Sequence, residues 1–261
     1  MDRTTPTQRE EITETMMIRG HFYHIMPIVG DGGDWQPNDD KQNNHEGIVS
    51  VESISHHLAL LTLSDRLFLA PIQDPSKVLD VGTGTGIWAI DMADPFPDCE
   101  VIGTDLSPTQ VNIAPPNVTF EIDDSQSVWT YPENSFDYIH IRGLFGSISD
   151  WPRFYKECFT HIQPGGFLEH FEFSVIARAE DGSLTPGNPF TRWSQNAKEA
   201  GDKIGKTFEI AEHTKDLIAQ AGFIDVVEER FKWPIGPWSS YAKLKELGRW
   251  NLLSWEEGME G

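Results

Sequence analysis

An α/β fold with a mostly parallel sheet flanked by helices is predicted by three observations. Short apolar, β-branched runs alternate with segments of helical spacing, a glycine-rich turn lies at a strand-to-helix junction, and acidic residues stand at the ends of neighbouring runs. Strands of like direction need long crossovers, and helices supply them.

The elements follow in order. From Val49 to Leu69 the apolar positions Ile54, Leu58, Leu61, Leu67 and Leu69 fit a helix, which Pro71 ends. Lys77–Val81 is a short apolar strand, and Gly86 opens a helix through Ala93 that stops before Pro95. Strands are predicted at Glu100–Asp105, Val118–Ile122 and Phe136–Ile141, a helix at Trp151–His161, and a turn at Pro164-Gly165-Gly166 before a fifth strand, Phe167–Phe173. Residues 188–204 and 207–221 read as helices, Phe223–Phe231 as a sixth strand, and Tyr241 onward as helix. Residues 1–70 are thus an N-terminal extension with a lid helix, and 71–261 the sheet domain.

Composition excludes several classes of function. The net charge of −21 repels polyanions, so neither nucleic acid nor an anionic membrane surface is an expected partner, and a small molecule or a protein is. No apolar run approaches the roughly 20 residues of a spanning helix. Two cysteines, Cys99 and Cys158, give neither a disulfide framework nor a metal cluster, so a reducing, cytoplasmic setting is expected and no metal.

The turn Asp80-Val81-Gly82-Thr83-Gly84-Thr85-Gly86 reads D-x-G-x-G-x-G. Glycine lets backbone approach a ligand at a helix N-terminus and adopts the positive φ of tight turns. Ile87 stands where a dinucleotide fingerprint would need glycine, which disfavours that reading. The pattern resembles the methyltransferase loop, which implies that Asp80 engages the cationic aminoacyl end of a cofactor, directly or through water. Asp105, followed by Leu106, ends the second strand, where a carboxylate accepts from ribose hydroxyls. Asp123 and Asp124 follow the third, where an adenine amino group would need an acceptor.

These residues resemble the fungal LaeA-like branch of the class I, Rossmann-like methyltransferases. The likeness runs through KVLDVGTGTGIWAIDMAD (77–94), EVIGTDLSP (100–108), FEIDD (120–124), DYIHIRGLFGSISDWP (137–152), QPGG (163–166), WPIGPW (233–238) and the Trp35–Asp39 stretch. It implies S-adenosylmethionine as cofactor, S-adenosylhomocysteine as product, and a cofactor role for Asp80, Gly82, Thr83, Gly84, Gly86, Asp105, Leu106, Asp123 and Asp124. It also implies an N-terminal segment over the site. The branch includes tailoring enzymes of small-molecule pathways and regulators of secondary metabolism, so a methyltransferase, a regulator working through protein partners in the nucleus, and a pericyclase-like protein using the cofactor non-reactively all stay open. So does a homodimer. Proteins of this branch usually continue past the equivalent of Gly261 into a last strand that inserts in the sheet. Six strands are therefore expected, with the final one missing through truncation, supply by a partner, or an open gap.

Methyl transfer from a sulfonium is an in-line displacement that needs alignment more than a catalytic group. Should the acceptor be a hydroxyl or an acid, a base would help. His140, Arg142 and Glu169 are the candidates, with His170 and Glu172 beside them. His140 is expected beside the transferred methyl, and counts among the cofactor contacts. Each also has a plain alternative as a packed histidine or an ion-pair partner. Phe22, Tyr23 and Trp35 are candidates for an aromatic lid against substrate, whereas Trp151 reads as core. The adjacent spacing of His56 and His57 argues against a metal pair.

Overall fold

A computed structural model describes residues 51–111 and 113–260. The lid candidates Phe22, Tyr23 and Trp35, with the Trp35–Asp39 stretch, lie outside the described residues.

Five strands form one parallel sheet in the order β3-β2-β1-β4-β5. They are β1 (Lys77–Val81), β2 (Glu100–Asp105), β3 (Val118–Ile122), β4 (Phe136–Arg142) and β5 (Ile162–Phe171). The helices are α1 (Val51–Thr62), α2 (Ile87–Ala93), α3 (Trp151–His161), α4 (Pro189–Ile204), α5 (Thr214–Ala221) and α6 (Ala242–Glu260). The chain order reverses between β1 and β4, and ligands bind at such a switch point beyond the carboxyl ends of the strands.

Alternation along the strands divides the core. Leu79, Val81, Ile139 and Ile141 pack with Trp151, Phe154, Tyr155 and Cys158 of α3. Val78, Val101 and Tyr138 point the other way, onto Trp88, Ala89 and Met92 of α2. Both faces are covered, so the strands read as near-continuous apolar runs.

Four expectations are corrected. α1 ends at Thr62, short of Leu69, because Ser64 and Asp65 take left-handed φ of 58° and 61°. The freed stretch is held elsewhere: Trp88 Nε1 donates to the Leu67 carbonyl at 3.1 Å. The 163–166 turn lies within β5 as an irregularity. Between the pairs Phe136↔Ile162 and Tyr138↔Phe167, β4 advances two residues and β5 five, with Gly165 at φ 87°. Residues 207–221 divide into a 3-10 turn, Ile210–Glu212, and α5. Lastly, 223–231 forms no strand. Asp225 takes φ 54°, which breaks the extended run, and Ile224 and Val227 are 85% and 81% exposed.

α1 packs on α6 across the end of the molecule, contributing Ile54 and Leu58 to the same core as Leu247. Two side chains tie α1 down: Trp233 Nε1 donates to Thr62 Oγ1 at 2.7 Å and Lys243 Nζ to the Thr62 carbonyl at 3.0 Å. This fixes the direction in which the first turn of α1 points, toward the loop after β1. No helix among the described residues is long and apolar enough to cross a membrane.

Candidate functional site

The loop between β1 and α2 is built by three glycines in the left-handed region, Gly82, Gly84 and Gly86, at φ 71°, 57° and 84°. The N–H groups of Gly82 and Thr83 both donate to the Thr104 carbonyl at 2.8 Å, anchoring the loop to β2. The three glycines are required for different reasons. A Cβ on Gly82 would come within 2.4 Å of Leu144, and one on Gly86 within 2.3 Å of Phe120, so these two admit the protein's own side chains. At Gly84 the nearest atoms are those of the Glu52 carboxyl, from 2.9 Å.

Asp80 lies beneath the loop, 2% exposed. Its Oδ2 accepts from Thr83 Oγ1 at 2.6 Å and its Oδ1 from His140 Nδ1 at 2.7 Å. β1 and β4 pair with Asp80 opposite His140, so the two side chains leave the sheet together. Both carboxylate oxygens are thereby engaged inside the protein, and any effect of Asp80 on a ligand passes through the loop it shapes.

Asp105, at the end of β2, is half-buried and turned back on the loop. Its Oδ2 accepts the Gly84 N–H at 2.9 Å and its Oδ1 the Ser107 N–H at 3.0 Å. Burial pushes its carboxyl above the usual range, against those amide bonds. Thr109 Oγ1 and Gln110 Nε2 hold the Gly84 carbonyl at 3.1 and 2.8 Å, so the backbone of this residue is gripped on both sides of its Cα. Beside it Leu106 is 46% exposed, an apolar surface at the mouth of the site. The Asp123 N–H donates to the Asp105 carbonyl at 2.9 Å, bringing the end of β3 alongside. There Asp123 Oδ1 accepts the Asp124 N–H at 2.8 Å, and Asp124 Oδ1 the Gln126 N–H at 2.9 Å. The structure thus gathers Asp105, Leu106, Asp123 and Asp124 beside the glycine loop, as the sequence predicts.

Glu52 is the member that sequence reasoning missed. It reaches from the first turn of α1 to accept the Thr85 N–H at 3.0 Å through Oε2. Burial raises its carboxyl above the ordinary value, partly offset by the bonds from Thr85. No local pattern marks it. A lone glutamate 33 residues before its partner carries no spacing signal, and only the packing of α1 on α6 brings it here.

The candidate catalytic groups are each engaged by other residues of the protein. His140 is 2% exposed and stacks on Trp88 with ring centroids 3.8 Å apart, so its ring faces the α2 side of the sheet. Burial lowers its pKa despite the Asp80 bond, which keeps the imidazole neutral with Nδ1–H donating. Arg142 Nη1 lies 3.1 Å from His56 Nδ1, and His56 Nε2 lies 3.0 Å from Asp91 Oδ2. A guanidinium only donates, so His56 Nδ1 accepts and its Nε2–H goes to Asp91. Burial, the first cause, and Arg142 accordingly lower the His56 pKa. Glu169 accepts from Leu69 N at 2.8 Å and Ala70 N at 2.7 Å, fastening the segment after α1 to β5. His170 and Glu172 form a separate unit. Tyr155 Oη lies 2.8 Å from His170 Nδ1, His170 Nε2 lies 3.0 Å from Glu172 Oε2, and that oxygen also accepts the Leu144 N–H at 3.0 Å. Trp151 stacks on His170 inside the core, and His57 packs edge-on against Trp250 rather than beside His56. Among the described residues no group of three or more His, Cys, Asp or Glu could hold a metal ion.

Comparison with known proteins agrees with this geometry. The chain is 39% identical over 244 residues to methyltransferase pytC of Aspergillus terreus, covering 93% of this chain and 71% of that protein. It is 37% identical to the secondary metabolism regulator LAE1 of Cochliobolus heterostrophus, over 79% of this chain and 69% of the relative. A probable methyltransferase of Emericella nidulans, tdiE, is 33% identical over 82% and 68%. The family described as Methyltransferase domain matches residues 54–228, a span that begins within α1 and takes in the glycine loop and all five strands. The chain belongs to this family of S-adenosylmethionine-dependent methyltransferases.

Proposed function

We propose that this protein transfers the methyl group of S-adenosylmethionine to a small-molecule acceptor in fungal secondary metabolism. The observation that carries the reading is the Gly84 backbone, its N–H and carbonyl fixed at the switch point of the sheet by the carboxylate of Asp105 and by the side chains of Thr109 and Gln110. The cofactor supplies an activated methyl on a sulfonium. The chain's residues would supply the cradle: Gly82, Thr83, Gly84 and Gly86 shape the loop, Asp105 would accept from the ribose hydroxyls, and Asp123 and Asp124 would accept from the adenine amino group beside Leu106. Asp80 acts indirectly, by bracing Thr83.

Nothing in the reaction requires a buried base, and in this reading His140, Arg142 and Glu169 are supports. His140 and Glu169 hold Asp80 and the segment after α1, and Arg142 holds His56. Alignment of the acceptor then carries the rate. The names of pytC and tdiE support an enzymatic role, and the acidic charge favours a small molecule over nucleic acid.

A second reading is a regulator that acts through protein partners, cytoplasmic or nuclear, favoured by the identity to LAE1. The two are separated by measuring S-adenosylhomocysteine release against a panel of hydroxylated and carboxylated metabolites. Turnover with any panel member supports the enzyme. No turnover, together with a stable partner in pull-downs, supports the regulator and overturns the first reading.

A further inference from the structure

We propose that Glu52 is the residue of the cofactor site that distinguishes the positively charged cofactor from its neutral product. The proposal deepens the reading of the glycine loop as an S-adenosylmethionine site and rests on it.

The geometry has two parts. Glu52 comes from α1, outside the strand–loop–helix unit, and its Oε2 accepts the Thr85 N–H at 3.0 Å. Its Oε1, Cδ and Oε2 are then the three atoms nearest the point where a Cβ on Gly84 would project, at 2.9, 3.2 and 3.3 Å. The space that glycine leaves at the middle of the loop is therefore taken up by a carboxylate. The neighbouring N–H, that of Gly84, is already taken by Asp105, so adjacent amides of the loop are each bonded to an acid from a different element. Arg142, the cation that bears on Glu52, directs its Nη1 to His56. The Glu52 carboxyl thus lies against Gly84, at the middle of the loop that would hold the cofactor.

The reaction changes one charge at this site. As the carbon–sulfur bond breaks, its electron pair stays on sulfur, the methyl carbon bonds to the acceptor, and the sulfonium becomes a neutral thioether. The ammonium, carboxylate and nucleoside of the ligand are otherwise the same before and after. A half-buried carboxylate held in place by a backbone amide therefore stabilises the substrate form and loses that attraction when the methyl leaves. The gain is selective retention of the methyl donor and easier release of the spent one, whatever the acceptor is.

Calorimetric titration of S-adenosylmethionine and of S-adenosylhomocysteine into the wild-type chain, Glu52→Gln and Glu52→Asp tests this. Gln can still accept the Thr85 N–H but carries no charge. Glu52→Gln is expected to weaken S-adenosylmethionine binding by about tenfold, equivalent to about 1.4 kcal/mol, and to change S-adenosylhomocysteine binding by less than about twofold. Glu52→Asp keeps the charge and is expected to keep the wild-type ratio of the two affinities. Equal losses for both ligands in Glu52→Gln, no loss for either, or a collapsed ratio in Glu52→Asp would overturn the charge role while leaving the cofactor site intact. A wild-type chain that binds neither ligand would overturn the underlying reading as well.

Discussion

Removing the Asp80 carboxylate should loosen the loop from beneath, and the cost can be worked from its contacts. Asp80 is 2% exposed and accepts two bonds, from Thr83 Oγ1 at 2.6 Å and His140 Nδ1 at 2.7 Å. Hydrogen bonds to a charged group each contribute about 1.5–3 kcal/mol, and an orphaned buried donor costs about 1–3 kcal/mol. Asp80→Ala deletes both bonds, strands the His140 N–H against Trp88, and should destabilise the chain by about 3–5 kcal/mol. Asp80→Asn should cost less, about 1–2 kcal/mol, because its oxygen still accepts from His140 and the Thr83 hydroxyl can turn to accept from its amide. The double change Asp80→Ala/His140→Phe removes donor and acceptor together and keeps a ring on Trp88. It should therefore cost at least about 1 kcal/mol less than the two single changes added. Equilibrium urea unfolding, compared at constant m-value, reads the wild type, these three variants and the His140→Phe single change. An Asp80→Ala loss below about 1 kcal/mol would refute the account of Asp80 as an internal brace. So would strict additivity in the double variant.

The remaining predictions concern the ligand, pH and the outer brace. Asp105→Ala should weaken S-adenosylmethionine binding by at least about tenfold, since the lost bonds would be to a charged acceptor. Its effect on the free protein should be smaller, because burial already penalises the charged form; calorimetry and urea unfolding check the two halves. His56 and His140 both have pKa values lowered by burial in the folded chain, so the unfolded chain takes up protons first as pH falls below about 6.5. Their contribution to stability is complete above that value and is lost as pH falls toward the folded pKa values, at up to about 1.4 kcal/mol per pH unit for each group. His56→Gln should flatten the loss measured by unfolding at pH 7, 6 and 5, and an unchanged slope would count against a neutral His56. Glu52 and Asp105, raised by burial, act in the opposite sense: their contribution is present below about pH 4 and is lost as pH rises through their folded values. Glu169→Gln should lower stability by about 1–3 kcal/mol through the Leu69 and Ala70 amides. Turnover per folded molecule should stay within about twofold, whereas loss of a base costs about a hundredfold or more.

What was legible in the sequence is what local chemistry dictates. The runs 77–81, 100–105 and 118–122 appear as strands with the bounds their composition suggests; the inner two are apolar because both faces of the sheet are covered there, and β3, at the sheet edge, has no buried residue. The glycine loop could be read because positive φ at 82, 84 and 86 leaves little choice of residue. α3 was bounded by Asp150, whose side chain accepts the Arg153 N–H, and by the extended Ile162 that follows. The rest depends on partners distant in sequence. Alternation in 223–231 resembles a strand, but a strand needs a ladder, and Asp225 turns the chain away from one. The position of His140 on β4 was legible, but its stacking on Trp88 was not, since the strand position does not tell which aromatic ring covers that face. Glu52 was invisible for the same reason, its partner being supplied by the packing of α1.

The central claim is that the loop from Asp80 to Gly86, closed by Asp105, holds S-adenosylmethionine. Isothermal titration of that ligand into the wild-type chain tests it most directly: the account predicts saturable uptake of one ligand per chain that Asp105→Ala weakens, and no heat at micromolar protein would contradict it.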